Sequence, residues 1–170
     1  MKNFLKLGMV CLTALSLCVL TSCNKDEDSK KANEDDGIVT EGFVDLGLTS
    51  GTQWKATNEG TDFYTFNEAK RFGKSLPDTV QYRELLTECQ WTWDKDGYIV
   101  KGRNGKAMRM PATGFRDCNN DEYNVGIDAF YWTSLTLGPQ RAFHFGFNAS
   151  SFSINYTENC IHGAVRLVQQ

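Results

Sequence analysis

Residues Leu76 to Trp93 leave little room for anything but a capped amphipathic helix. They read Leu-Pro-Asp-Thr-Val-Gln-Tyr-Arg-Glu-Leu-Leu-Thr-Glu-Cys-Gln-Trp-Thr-Trp. Pro77 ends whatever precedes it, and the Asp78 carboxylate can accept from the free amides of a first turn. Tyr82, Leu85, Leu86 and Cys89 then fall at i, i+3, i+4 and i+7, one apolar stripe on one face. Trp91 and Trp93 follow as large apolar groups with polar handles. Upstream, Thr65 and Glu68 fit a capping box, and Phe66, Ala69, Phe72 and Leu76 sit at helical spacing. That spacing predicts a first helix over Phe66–Lys74.

Elsewhere the period is two. With 170 residues and 41% hydrophobic content the chain can build one domain with a real core. Helical runs are few and Gly-punctuated alternating runs many, which points to a mostly β domain with a small helical part. Strands are expected at Phe43–Leu48 and Gln53–Ala56, then at Tyr98–Lys101 and Ala107–Met110 around an Asn104-Gly105 turn. Ala129–Ser134 reads as an aromatic strand. In Arg141–Asn148, Phe143, Phe145 and Phe147 alternate with Ala142, His144 and Gly146. Phe152, Ile154 and Tyr156 repeat the pattern after a short turn, so a hairpin with one buried side is expected. Gly163–Val168 makes the last strand.

The first 23 residues have a different character. Lys2 and Lys6 precede an apolar run, Leu7 to Leu20, shorter than the ~20 residues a bilayer span needs and suited to a signal-peptide core. Leu20-Thr21-Ser22-Cys23 resembles the lipobox of bacterial lipoproteins. The resemblance implies cleavage of residues 1–22 and acylation of Cys23, which would hold the protein in outer-membrane lipid. Residues 23–42 are acidic and lack apolar periodicity, and are expected to form a disordered tether. Its start, Cys-Asn-Lys-Asp-Glu, is similar to the surface-export signal of Bacteroidota lipoproteins. The folded domain is expected over 43–170.

Several segments resemble one family in order. Val44-Asp45-Leu46-Gly47-Leu48-Thr49-Ser50-Gly51-Thr52-Gln53-Trp54 is similar to its opening. Leu76-Pro77 with Tyr82 and Glu84-Leu85-Leu86 is similar to its helix signature, with Asp78 and Tyr82 in place of Thr and Trp. Met110-Pro111-Ala112, Gly114-Phe115-Arg116, Tyr131-Trp132-Thr133-Ser134 and Gly163–Val168 resemble later landmarks. The family is the Fibrobacter-type major paralogous domain of Bacteroidota surface proteins. It implies an α+β, C-type-lectin-like fold, with two helices flanking a small twisted, mostly antiparallel β-sheet. It implies surface recognition and no common activity.

The chemistry of the chain favours binding over catalysis. His144 and His162 lack a catalytic setting, and no HExxH, CxxC, phosphate loop or nucleophile elbow is present. No enzyme activity, cofactor or metal is expected. The net charge of −3 gives no reason to expect nucleic acid. Asn119-Asn120-Asp121-Glu122 is oxygen-rich but reads as a plain loop. Cys89 lies on the helix stripe, so Cys118 and Cys160, in polar loops, are the better disulfide pair. Asp78-Thr79-Val80 fits a short O-glycosylation pattern, or simply starts the helix. The ligand candidates are Arg141, His144, Asn148, Ser151, Ser153, Asn155 and Asn159, read as outward residues of the late hairpin. Trp132 and Tyr156 either add aromatic surface or belong to the core. Two functions follow as expectations: a lipid-anchored, surface-exposed module for a glycan, peptide or protein ligand, or a structural or accessory subunit of a surface assembly such as a fimbria or uptake complex.

Overall fold

The structure is a computed structural model describing residues 37–60 and 63–170. The signal peptide over 1–22, Cys23 and the first part of the 23–42 tether lie outside the described residues. Ordered pairing starts before Phe43: Val39 donates to the Ala107 carbonyl and Ala107 to that of Gly37, each at 2.8 Å. Among the described residues, no helix is long and apolar enough to cross a membrane.

The chain opens with β1 (Phe43–Asp45), β2 (Gln53–Lys55) and β3 (Tyr64–Thr65). It continues through α1 (Phe66–Ala69), a 3-10 segment over Lys70–Ser75, and α2 (Thr79–Glu88). Three strands follow, β4 (Gln90–Trp93), β5 (Gly97–Lys101) and β6 (Ala107–Pro111). Two short ones come next, β7 (Phe115–Arg116) and β8 (Glu122–Tyr123). Then come the long β9 (Ala129–Thr136), β10 (Arg141–Asn148) and β11 (Ser151–Glu158). The chain closes with β12 (His162–Gly163) and β13 (Val168–Gln169). Among the described residues four sheets result, ordered β1-β2-β13, β11-β10-β9, β3-β12-β7-β8 and β4-β5-β6.

This overturns the α+β, C-type-lectin-like expectation. The protein is mostly β, 42% strand and 15% helical, with four small antiparallel sheets and only two short helices among the described residues. No two helices flank a single sheet. The physical reasons are local. The Thr65–Glu68 capping box forms, but the α-helix stops at Ala69 and the 3-10 segment after it is broken at Gly73, φ 57° and ψ −125°, where Phe66–Lys74 was expected to be regular. The second helix forms as expected: the Asp78 Oδ1 accepts from the Val80 and Gln81 amides at 2.8 Å, and Gln81 Oε1 accepts from the Asp78 amide at 2.9 Å. Beyond it, Cys89 is already extended, and Gln90–Trp93 pairs with Tyr98–Lys101. The two tryptophans are therefore strand residues, where flat, half-buried rings pack well.

The last strand is also divided. His162–Gly163 pairs with β3 and β7, whereas Val168–Gln169 pairs with β2. The bend between them turns Arg166 into the interior, fully buried.

Two apolar clusters form the core. One gathers Trp54, Tyr82, Leu85, Met108, Met110, Tyr131, Phe145 and Phe147. The other gathers Phe66, Leu76, Phe130, Trp132, Ala142 and Val165. β9 supplies Tyr131 to the first and Phe130 and Trp132 to the second, and β10 likewise divides Phe145 from Ala142. Both strands are thus covered on both faces, a correction to the hairpin with one buried side. Tyr82 of α2 stacks on Phe145 with ring centroids 4.6 Å apart, tying the helix to β10. Full burial of a ring like Phe145 stabilises by about 1.5–3 kcal/mol.

Candidate functional site

The late hairpin is regular. β10 and β11 pair through eight residues without a slip, from Asn148 opposite Ser151 to Arg141 opposite Glu158. Side chains alternate along a strand, and directly opposed residues share a face. Arg141, Phe143 and Tyr156 therefore lie on one face, and His144, Ser153 and Asn155 on the other. The ligand candidates do not form one surface. They are distributed over both sides of the sheet.

Several of them are already committed. Asn148 Oδ1 accepts from the amides and hydroxyls of Ser150 and Ser151, all at 3.0 Å, so it caps the turn. Asn159 Nδ2 donates to the Pro139 carbonyl at 3.2 Å. Trp132 is 0% exposed; its Nε1 donates to the Tyr64 carbonyl at 2.7 Å, and it belongs to the core rather than to a ligand face. His144, expected outward, is half-buried and stacks on Phe130 at 4.0 Å between centroids. Burial pushes its pKa down to about 4, so the imidazole is neutral at pH 7. The expectation failed because β9 and the second cluster cover that side of β10.

Arg141, Ser151, Ser153, Asn155 and Tyr156 remain exposed. The Arg141 guanidinium lies 5.7 Å over the Tyr156 ring. Among the described residues, β11 is the outer strand of its sheet. In an antiparallel ladder every second residue turns its N–H and C=O away from the partner strand. The Tyr156 N–H bonds Asn155 Oδ1 at 2.8 Å, which marks Phe152, Ile154, Tyr156 and Glu158 as the outward set. Phe152, 39% exposed, packs edge-on against Trp91 with centroids 5.1 Å apart.

No metal or catalytic constellation is built from the candidates. Cys118 and Cys160 are joined, with sulfurs 1.98 Å apart. They lie close to Glu158, but bonded sulfurs are lost as ligands. In the oxygen-rich loop, Asp117 Oδ1 accepts from the amides of Asn119 and Asp121, so this carboxylate holds the turn. Thr79 is buried, which suits a helix start and not a glycosylated side chain.

Sequence reasoning missed Arg166. Its Nη1 donates to the Lys55 carbonyl at 2.9 Å and its Nη2 to the Arg109 carbonyl at 2.8 Å. The signal was there: one arginine inside the apolar run Ala164-Val165-Arg166-Leu167-Val168. It also missed the edge of β11, since which strand ends a sheet is not written in any local pattern. Comparison of the chain with protein-family models, curated proteins and solved structures finds no match.

Proposed function

We propose that this chain is a lipid-anchored cell-surface protein whose folded body recognises another protein without catalysis, taking an extended segment of it onto the edge of β11. One observation carries the reading. β11 is an eight-residue outer strand, paired on its inner side without a bulge, and Ser151–Glu158 contains no Lys, Arg or Pro. Those are the devices that normally blunt a sheet edge, and their lack leaves a template for strand addition. Exposed Ser153 and Asn155 on one face, and Phe152 and Tyr156 on the other, would read alternate side chains of the added segment. The basic start, apolar core and lipobox of residues 1–23 support acylation at Cys23 and residence in the outer membrane.

The same open edge favours a second reading, a structural or accessory subunit of a surface assembly such as a fimbria or uptake complex. There the added strand belongs to a neighbouring subunit, and the chain is recovered from cells in a fixed ratio to it.

The edge is tested by panning a displayed peptide library on the protein. The Tyr156 N–H is not part of the inner ladder and is held by Asn155 Oδ1 until an added strand supplies the acceptor instead, so Tyr156→Pro removes an outward donor while leaving the pairing with β10 in place. Selected peptides should still bind Tyr156→Ala, weakened by loss of the ring but keeping the amide, and should lose Tyr156→Pro. Equal binding to both variants removes the edge as the site. The anchor is tested by fatty-acid labelling: label on the parent and none on Cys23→Ala is expected, and an unlabelled parent refutes acylation.

A further inference from the structure

A strand laid against β11 has to bond the residues whose backbone groups turn outward, Phe152, Ile154, Tyr156 and Glu158. In an antiparallel pair outward residues meet outward residues, and directly opposed side chains share a face. The newcomer therefore has to suit two rows of side chains. One row is apolar: Phe152 and Tyr156 are 39% and 46% exposed, with half-buried Ile154 between them. The other is polar, with exposed Ser151, Ser153 and Asn155.

β11 itself meets both demands. Turned about a two-fold axis through Ile154, it places Phe152 opposite Tyr156 of the second copy, and Ile154 opposite itself. On the other face Ser153 falls opposite Asn155, and Ser151 opposite Thr157. An axis through Asn155 also overlaps nearly the whole strand, but it sets the Glu158 carboxylate against the Phe152 ring. The Ile154 register instead extends rows already present in each copy. Phe147 and Phe152 lie 6.2 Å apart between centroids, and Phe143 and Tyr156 6.0 Å. The seam would join these pairs into one aromatic row. Glu158, the one charged residue of Ser151–Glu158, stays at the outer end, opposite Arg141 on the inner ladder. One contact has to be exchanged. Asn155 Oδ1 now accepts from the Tyr156 amide at 2.8 Å. On pairing, the Phe152 carbonyl of the second copy takes that amide, and Asn155 is left facing the opposed Ser153 hydroxyl.

We infer that the edge of β11 takes a second copy of this chain, two-fold about Ile154, joining two β9-β10-β11 sheets into one. The pairing rests on the reading of β11 as an open edge and names what fills it when no foreign segment is bound. Both occupants need the same outward amides, so self-pairing also controls access to the edge.

Sedimentation equilibrium tests this on the mature chain, made without residues 1–22 and with Cys23→Ala. The parent should show a reversible monomer–dimer equilibrium. Tyr156→Pro should dimerise about thirtyfold more weakly than Tyr156→Ala, since it lacks one further donor in each copy. Urea melts show that both variants are folded. Under copper-phenanthroline oxidation Ile154→Cys should link to itself, because opposed residues lie about 5.5 Å apart between Cα atoms. Asn155→Cys, a diagonal neighbour at about 7–8 Å, should not, and the parent, which keeps Cys89, is the blank. A parent that stays monomeric at millimolar concentration overturns the inference. So does equal association of the two Tyr156 variants, or linking of Asn155→Cys in preference to Ile154→Cys. A monomeric parent whose selected peptides are still lost with Tyr156→Pro overturns self-pairing and leaves the recognition reading standing. A dimer broken by Tyr156→Pro, with no peptide selected, does the reverse.

Discussion

Removing the Cys118–Cys160 bond should cost this protein much of its stability. The bond closes a loop of sequence separation 42 that carries β8, β9, β10 and β11. Loop-closure entropy for that length, at 25 °C, amounts to about 4 kcal/mol of stabilisation through the unfolded chain. At about 3–4 °C per kcal/mol for a body of this size, the melting temperature should fall by about 12–16 °C. The assay is thermal unfolding by circular dichroism of Cys118→Ala/Cys160→Ala against the parent, with a third melt of the parent under a phosphine reductant. Cys89 should not complicate the comparison. Burial pushes its thiol pKa up to about 11, so little thiolate is present at pH 7 to attack the bond. The double variant and the reduced parent should melt together. A shift under about 4 °C in both would refute the reasoning, because a 42-residue closure cannot be worth so little unless the unfolded chain already holds those ends together.

Asp78→Ala removes the acceptor for two first-turn amides and should cost about 1 kcal/mol, read as a lower urea midpoint with unchanged slope. Gly102→Ala should destabilise far more than an ordinary surface change, since an added Cβ would run into the Leu46 carbonyl; failure to give soluble folded protein, or a strongly lowered midpoint, is expected. Trp132→Ala should cost about 3–5 kcal/mol in the same assay, as the loss of a fully buried ring against Phe66 and Phe130. His144 makes stability depend on pH. Its folded pKa of about 4 lies below the ordinary 6.5, so the unfolded chain binds the extra proton first. The contribution is complete above about pH 6.5 and is lost as pH falls toward 4. Urea midpoints should decline between pH 7 and 5, and His144→Phe should flatten that slope. Glu68 and Glu88, held below their ordinary value by hydrogen bonds from Thr65 and Thr49, act at lower pH and leave the window clear.

Where residue and partner are close along the chain, reading and structure agree. The Asp78 cap, the Thr65–Glu68 box and the eight-pair hairpin of β10 and β11 each depend on side chains and turns a few positions apart. The early hairpin pairs Lys101 with Ala107 around Gly105 at φ 85°, as its Asn-Gly suggested. Burial of Tyr82 and Leu85 could be read from period alone. The candidate ligand surface could not. An alternating strand says which residues share a face, but not whether either face is covered, and β10 turned out to be covered on both.

By itself, then, the amino-acid order determined the capped helix, the alternating strands and their turns, because those follow from backbone sterics and contacts within a few residues. Tertiary structure alone decided that, among the described residues, the strands separate into four sheets with β11 at the end of one, and that His144 and Trp132 face inward. It also decided the fate of Arg166, whose carbonyl partner on Lys55 lies 111 positions away. Such a contact forms only once the closing segment has folded back between the first strands and β6. No window of sequence carries that information, since the free energy that buries the guanidinium comes from surfaces that meet only in the finished fold.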